Sequence, residues 1–204
     1  MNNADNLNQK VIRFFEPFFE KSIHGIEFSY GCNTKAKEIW KSSGFVDEIP
    51  QGIWTAYHQL PISIAHLFIA SNCTDTLCFA HFFPQYVEKK AGVAFSSFGY
   101  LPNKENFREL ICKFPNAKIH LIFENSLLGR IFDCKIALLK HGIDSKISIN
   151  GNFIQIEFHG QTLELPIERF SLNYFEVISS KRFPIRTYKP AKGFLNFHKL
   201  FTAI

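Results

Sequence analysis

The sequence predicts an α/β fold, a mostly parallel, Rossmann-like sheet flanked by helices, on three observations. Between about residues 62 and 142, short apolar runs alternate with helical stretches. The runs ISIAHLFIA, GVAFSSFG and KIHLIFE are largely apolar along their whole length, which is typical of parallel strands buried between helices. A chain of 204 residues that is 46% hydrophobic and 20% charged is also large enough to bury one core.

The N-terminal segment, residues 1–60, is predicted to be helical and irregular. Apolar residues recur at helical spacing at Val11, Phe14, Phe15, Phe18 and Phe19. This pattern predicts an amphipathic helix, which Pro17 shortens or kinks. The stretch KAKEIWKSSG predicts a second short helix ending at Gly44, and loop with extended pieces follows it.

The core is assigned to residues 61–144 and the C-terminal part to residues 145–204. Helices are predicted after SNCTDT, over NKENFRELICKF and over LLGRIFDCKIALLKHG, with Gly142 as the last C-cap. Beyond residue 145, alternating residues on either side of Asn150-Gly151 predict a β-hairpin, and His159-Gly160 predicts a second turn. We therefore expect a small β-meander followed by a basic tail.

Polar residues follow two of the predicted core strands in a specific order. The first strand leads into Ser71 and, four residues later, Asp75, whereas KIHLIFE ends in Glu124-Asn125-Ser126 and is followed by Gly129-Arg130. The order resembles the Toprim domain of primases, topoisomerases and some nucleases, with residues 96–104 as its intermediate strand-to-loop passage. In that family a Glu ends the first strand, an Asp usually lies in the next helix, and Asp-x-Asp ends a later strand before Gly-Arg.

The resemblance implies a pocket in which two metal carboxylates are missing. Its residues are Ser71, Asp75, Glu124, Ser126, Gly129 and Arg130. Toprim enzymes hold Mg²⁺ with carboxylates, but Ser71 and Ser126 are neutral here, so a catalytically degenerate protein is expected. No cofactor is expected beyond a weakly held Mg²⁺ at Glu124.

Several roles around this pocket stay open. An enzyme that uses Glu124 with Asp75 and one Mg²⁺ as a nuclease or nucleotidyltransferase is the alternative to a degenerate site. Asp133 is a further substitute carboxylate, but structural roles are favoured for both aspartates. Arg130 either binds phosphate or pairs with Asp133 at i, i+3 on its own helix.

All of the excess positive charge lies in the C-terminal tail, which is the segment after Glu176. Six of the 23 basic residues and none of the 18 acidic residues follow Glu176, so the tail carries +6 and the rest of the chain −1. The candidate nucleic-acid-binding residues are Lys181, Arg182, Arg186, Lys189 and Lys192. Aromatic residues interleave with these cations, which is the mix expected where phosphates are neutralised and exposed bases stack, and the expected partner is DNA rather than RNA. Alternatively, the rings pack on the domain while the lysines stay in water.

The expected function is therefore to bind nucleic acid or a nucleic-acid-processing partner. The resemblance implies an accessory of mobile-element replication, mobilisation or transposition, and a structural protein-interaction module is a further alternative.

Five cysteines without a C-x-x-C pair and eight dispersed histidines indicate neither a disulfide framework nor a zinc site. With no signal sequence and no apolar run of membrane length, we expect a cytoplasmic protein that does not bind a membrane.

Overall fold

In the computed structural model, the residues described are 3–31, 37–41, 51–88, 92–99 and 102–204. Helix α1 (Gln9–Phe15) begins after Asn8, whose side chain accepts a hydrogen bond from the Lys10 N–H. It ends at the 3₁₀ turn Glu16–Phe18, as the helix-breaking Pro17 predicts. Strands β1 (Glu20–Ser22), β2 (Gly25–Ser29) and β3 (Lys37–Lys41) then form an antiparallel sheet in that order.

The helix predicted over residues 35–44 is wrong in its described part. Residues 37–41 form β3, in which Glu38 and Trp40 point inward while their neighbours are half-buried. This two-residue period is that of a strand. Pairing with β2 stabilises the strand and outweighs the helix propensity of its Lys and Glu residues. Residues 35–36 and 42–44 lie outside the described residues. Among the parts described, only α1 and short 3₁₀ turns make the N-terminal segment helical.

The alternation of strands and helices predicted for the core is confirmed. In chain order its elements are β4 (Gln51–Tyr57), β5 (Ile64–Ala70), α2 (Cys73–Phe82), α3 (Gln85–Glu88), β6 (Gly92–Gly99), α4 (Lys104–Lys113), β7 (Lys118–Leu121) and α5 (Leu127–Lys140). Strand β5 pairs in parallel with both β6 and β7, and β4 pairs antiparallel with β6. The antiparallel strand β4 belongs to this sheet although it lies before residue 60.

The C-terminal part contributes to the same sheet. Its elements are β8 (Ile147–Asn150), β9 (Phe153–Phe158), β10 (Gln161–Pro166), α6 (Leu172–Ser179), β11 (Arg186–Thr187) and α7 (Phe197–Thr202). The predicted meander is confirmed as β8–β10, with Gly151, His159 and Gly160 all at positive φ in its two turns. Strand β11 pairs in parallel with β7, so the central sheet has the order β11-β7-β5-β6-β4.

Both faces of the central sheet are buried. Along β5, Phe68 and Ala70 contact the cluster that contains α1 and α2, whereas Leu67 and Ile69 face the cluster that contains α4 and α5. A third cluster lies between α5, the meander and α6. In the described ranges, no helix combines the length and the apolar character needed to cross a membrane.

Candidate functional site at the carboxyl edge of the sheet

Two loops with polar residues meet at the carboxyl edge of the parallel strands. The loop after β5 leads into α2, where the Asn72 side chain accepts a hydrogen bond from the Asp75 N–H at 2.7 Å. The loop after β7 leads into α5, where Ser126 Oγ accepts one from the Gly129 N–H at 3.1 Å. Because β5 and β7 are neighbours, both loops lie at one edge, which is where open α/β sheets place ligands.

Glu124 is held within its own loop. The hydroxyl of Ser126 donates a hydrogen bond to Glu124 Oε1 while it also caps α5. A Cβ on Gly129 would lie 2.0 Å from the Glu124 carbonyl oxygen, so only glycine allows the helix to start this close to the strand end. Ser126 therefore acts as a helix cap and orients the half-buried Glu124 carboxylate.

Arg130 is bound to backbone carbonyls. Its Nη1 donates a hydrogen bond to the Phe170 carbonyl at 3.0 Å, and its Nε donates one to the Ser126 carbonyl at 3.3 Å. Of the two alternatives for Arg130, the ion pair with Asp133 does not form, and Asp133 Oδ2 instead lies 2.7 Å from the ammonium of Lys189. Arg130 thus ties the start of α5 to the loop before α6.

Asp75 is buried and connects the site to the C-terminus. Its Oδ1 accepts a hydrogen bond from the His198 backbone N–H at 2.9 Å, near the start of α7, and its Oδ2 accepts one from the Asn72 amide at 3.4 Å. Burial raises the pKa of Asp75 to about 7, the His198 hydrogen bond opposes this rise, and the charges of Glu38 and Glu124 add to it.

A fully buried carboxylate, Glu38, was missed from sequence. It accepts hydrogen bonds from the Tyr30 hydroxyl at 2.6 Å, from the Cys73 N–H at 2.7 Å and from the Thr74 N–H at 2.8 Å. The Thr74 hydroxyl donates a further one at 2.7 Å. Glu38 thereby neutralises the amino end of α2, where negative charge is favourable. The two-residue period of β3 is the only local signal for it, because its partners are distant in sequence.

Residues 189–198, here named the C-terminal strap, cross the carboxyl edge. The Lys189 ammonium donates hydrogen bonds to the carbonyls of Phe123 at 3.0 Å and Glu124 at 3.2 Å. The Asn125 N–H donates one to the Leu195 carbonyl at 2.6 Å. Together with the His198 contact to Asp75, these bonds fasten the strap over the ends of β5 and β7.

Comparisons with family models, curated proteins and solved structures found no match to this chain. In the described residues, no group of three or more His, Cys, Asp or Glu side chains is arranged to hold a metal ion. The residues that are present do not fit Mg²⁺, because Asp75 accepts a backbone N–H, the Glu124 carboxylate accepts the Ser126 hydroxyl, and the Lys189 ammonium places a positive charge beside the Glu124 backbone.

The candidate nucleic-acid-binding cations fall into two groups. Two are ion-paired: Lys189 lies within the fold, with 24% of its side chain exposed, whereas Arg182 pairs with Glu176 Oε2 at 2.9 Å at the surface, with 86% of its side chain exposed. Lys192 and Arg186 are exposed, the latter with its guanidinium 4.9 Å from the Tyr188 ring centre, and Lys181 is half-buried. Lys189 is therefore withdrawn from the basic surface of the tail, whereas Arg182 remains part of it with its charge partly offset by Glu176.

The tail aromatics pack against the domain, as the alternative interpretation predicts. Four of them are buried, namely Phe183, Tyr188, Phe197 and Phe201. Phe183 stacks on Phe175 with ring centres 5.6 Å apart, and Phe201 lies edge-on to Trp40 at 5.8 Å. These rings stabilise the fold and are not available to stack on bases.

Proposed function

We propose that this protein is a non-catalytic, Toprim-like α/β protein that binds the phosphate backbone of nucleic acid, DNA in preference to RNA. In this proposal it serves as an accessory to nucleic-acid-processing partners in mobile-element replication, mobilisation or transposition. The observation that carries the proposal is the occupied carboxyl edge. The Lys189 ammonium and the C-terminal strap lie across the strand ends where a Toprim enzyme holds its metal.

The carboxylates near this edge support a non-catalytic role. Glu38 accepts four hydrogen bonds, Asp75 caps the start of α7, and Asp133 pairs with Lys189. Each carboxylate is engaged within the fold, and none is free to ligate a metal ion that binds phosphate. Glu124 itself accepts a hydrogen bond from Ser126.

The charge distribution supports binding through phosphates. The exposed cations Arg182, Arg186 and Lys192, with the half-buried Lys181, lie in a tail that contains no acidic residue after Glu176. Such a surface attracts phosphates without reading sequence, and its affinity falls as salt rises because counterions are released. Because the tail rings are buried, single strands have no stacking advantage over duplex.

The test is fluorescence anisotropy with labelled duplex and single-stranded oligonucleotides over a range of salt concentrations. We expect reversal of Lys181, Arg186 and Lys192 to Glu to weaken duplex binding by about tenfold or more. The slope of log affinity against log salt should fall by about 3 if each cation neutralises one phosphate. The control variant replaces three cations that are exposed on α1 and β1, Lys10, Arg13 and Lys21, with Glu. It makes the same change in net charge.

Two results would overturn the proposal. Absence of salt-dependent binding by the native chain, or an equal loss in the control variant, would exclude the tail as a phosphate-binding surface. Metal-dependent cleavage of DNA that disappears in Glu124→Gln would exclude the non-catalytic assignment.

A further inference from the structure

A second concave site lies away from the C-terminal strap, between α4 and the end of α5. It encloses about 330 Å³, within the range of small-molecule sites, and none of its lining residues belongs to the carboxyl edge. Its apolar lining comes from Phe107, Ile111 and Leu139, of which Phe107 and Leu139 are buried core residues. A ligand that enters the cavity therefore contacts an apolar surface built into the fold.

The remaining lining is predominantly cationic. Lys104 and Arg108 lie one turn apart on α4, and Lys140 ends α5. Asp144 is the single acid of the lining, and it is paired at 2.7 Å with the Lys135 ammonium and approached at 3.7 Å by that of Lys104. The lining carries three cations against one acid, a net charge of +2.

Two of these cations, Arg108 and Lys140, can still bind an anion. Arg108 is exposed and forms no ion pair within the ranges that the structure describes. Lys140 is half-buried, its ammonium donates a long hydrogen bond of 3.4 Å to the Pro184 carbonyl, and burial lowers its pKa. Arg provides the planar pair of N–H donors that matches phosphate oxygens, and a partly desolvated Lys gains from an anionic neighbour.

We propose that this cavity binds an organic phosphate monoester, with its apolar or aromatic body on Phe107 and Leu139 and its phosphate between Arg108 and Lys140. A phosphate monoester carries a charge near −2 at neutral pH, which complements the lining. This site is independent of the proposed backbone binding by the tail, so either can fail alone.

Cys112 provides a reporter, because it lines the cavity and is exposed, whereas Cys73, Cys78 and Cys134 are buried. Cys32 lies outside the described residues, so the measurements use the full chain with Cys32→Ser. The rate of Cys112 alkylation by a maleimide is followed with phenyl phosphate, a nucleoside 5′-monophosphate, inorganic phosphate or dodecanoate. We expect the two monoesters to slow alkylation several-fold, and inorganic phosphate and dodecanoate to have little effect.

Arg108→Glu should raise the monoester concentration needed for half-protection about tenfold or more, because a charge-assisted pair is lost. Arg108→Lys should recover part of the affinity, and Arg13→Glu, an exposed charge reversal on α1, should leave it unchanged. Equal thermal unfolding of the unliganded variants shows that the fold is intact.

The proposal would be overturned if neither monoester slowed the alkylation of Cys112. Equal protection by dodecanoate would identify an apolar carboxylate site instead, and equal protection by inorganic phosphate would identify a simple anion site. Protection that survives Arg108→Glu would also overturn it, because the proposed phosphate contact would then be wrong.

Discussion

At the residue scale, two buried aspartates illustrate how carboxylates are held within the fold near the carboxyl edge. Asp75 accepts a backbone N–H, and burial raises its pKa to about 7. Asp133 is paired with the Lys189 ammonium, which opposes the effect of burial, so its pKa rises to about 6. The charges of Glu38 and Glu124 thus add to the effect of burial at Asp75, whereas the counter-charge of Lys189 opposes that effect at Asp133.

The raised pKa of Asp75 makes folding depend on pH. Its pKa is about 7 in the folded chain against an ordinary value of 3.8, so its contribution to stability is complete below about pH 4 and is lost as pH rises to about 7. Asp75→Asn removes this loss. The free energy of unfolding of the variant relative to the native chain should therefore increase across that window, by at most about 4 kcal/mol.

Urea unfolding at a series of pH values measures this difference. Burial lowers the pKa of His198 to about 4 from 6.5, so its contribution is complete above about pH 6.5 and is lost as pH falls to about 4. That change is present in both chains and cancels in the comparison. Parallel stability profiles for the variant and the native chain would show that Asp75 does not titrate in this range.

Lys189 and Lys192 are close in sequence, but their substitution is expected to change stability by very different amounts. Lys189→Met leaves Asp133, of which 3% of the side chain is exposed, without its counter-charge, and should cost about 3 kcal/mol at neutral pH. The loss should shrink at acidic pH, where Asp133 is protonated. Lys192→Met removes an exposed cation and should change stability by less than about 0.5 kcal/mol.

Urea unfolding distinguishes these two variants. Adding Asp133→Asn to Lys189→Met should recover part of the lost stability, because no buried charge is then left without a partner. Similar stability of the two Lys variants would contradict the structural role of Lys189 and return it to the group of surface cations.

At the element scale, the start of α5 depends on a close backbone approach. Gly129→Ala would place a Cβ 2.0 Å from the Glu124 carbonyl oxygen, so the helix start or the preceding loop must shift. Although Ala favours helices, we expect a loss of about 2 to 3 kcal/mol from overpacking. Chemical unfolding measures it, with Gly142→Ala at the other end of the helix as a comparison.

The comparison separates two causes of strain. Gly142 has φ +75° and no atom within 4 Å of an added Cβ, so that substitution costs only the left-handed backbone conformation, about 1 kcal/mol. A smaller loss at Gly129 than at Gly142 would contradict the steric explanation.

Sequence patterns predicted those elements whose signals are local. Asn150-Gly151 and His159-Gly160 placed both turns of the meander, and β5, β6 and β7 were predicted by their apolar runs. Strand β3 was missed because its pairing with β2 and the contacts of Glu38 and Trp40 are tertiary. The site was predicted less well, since the partners of Asp75 and Asp133 lie in the distant C-terminal strap.

At the scale of the whole molecule, the three predicted segments are joined by the central sheet and by hydrophobic clusters that they share. Strand β4 from the first segment and β11 from the last both pair with strands of the central sheet. Ile131 and Ile185 contact both the cluster beneath α4 and the cluster beneath the meander. Apolar side chains are thus shared across the predicted boundaries, and loss of one segment exposes the core of another.

The final prediction is that the chain unfolds as a single cooperative unit. Trp40 and Trp54 lie in the cluster around α1 and α2, so their fluorescence reports on one side of the sheet, while amide exchange at Ile154 and Ile156 reports on the meander. Because β11 and the strap join the C-terminal part to the central sheet, both probes should give the same free energy of unfolding.

A chain cut after residue 144 loses β11 and α7, and with α7 it loses the Phe201 ring that covers Trp40, so it should not fold. A meander that exchanges at much lower free energy than the tryptophan transition, or a truncated chain with a cooperative transition of its own, would show instead that residues 145–204 are a separate domain.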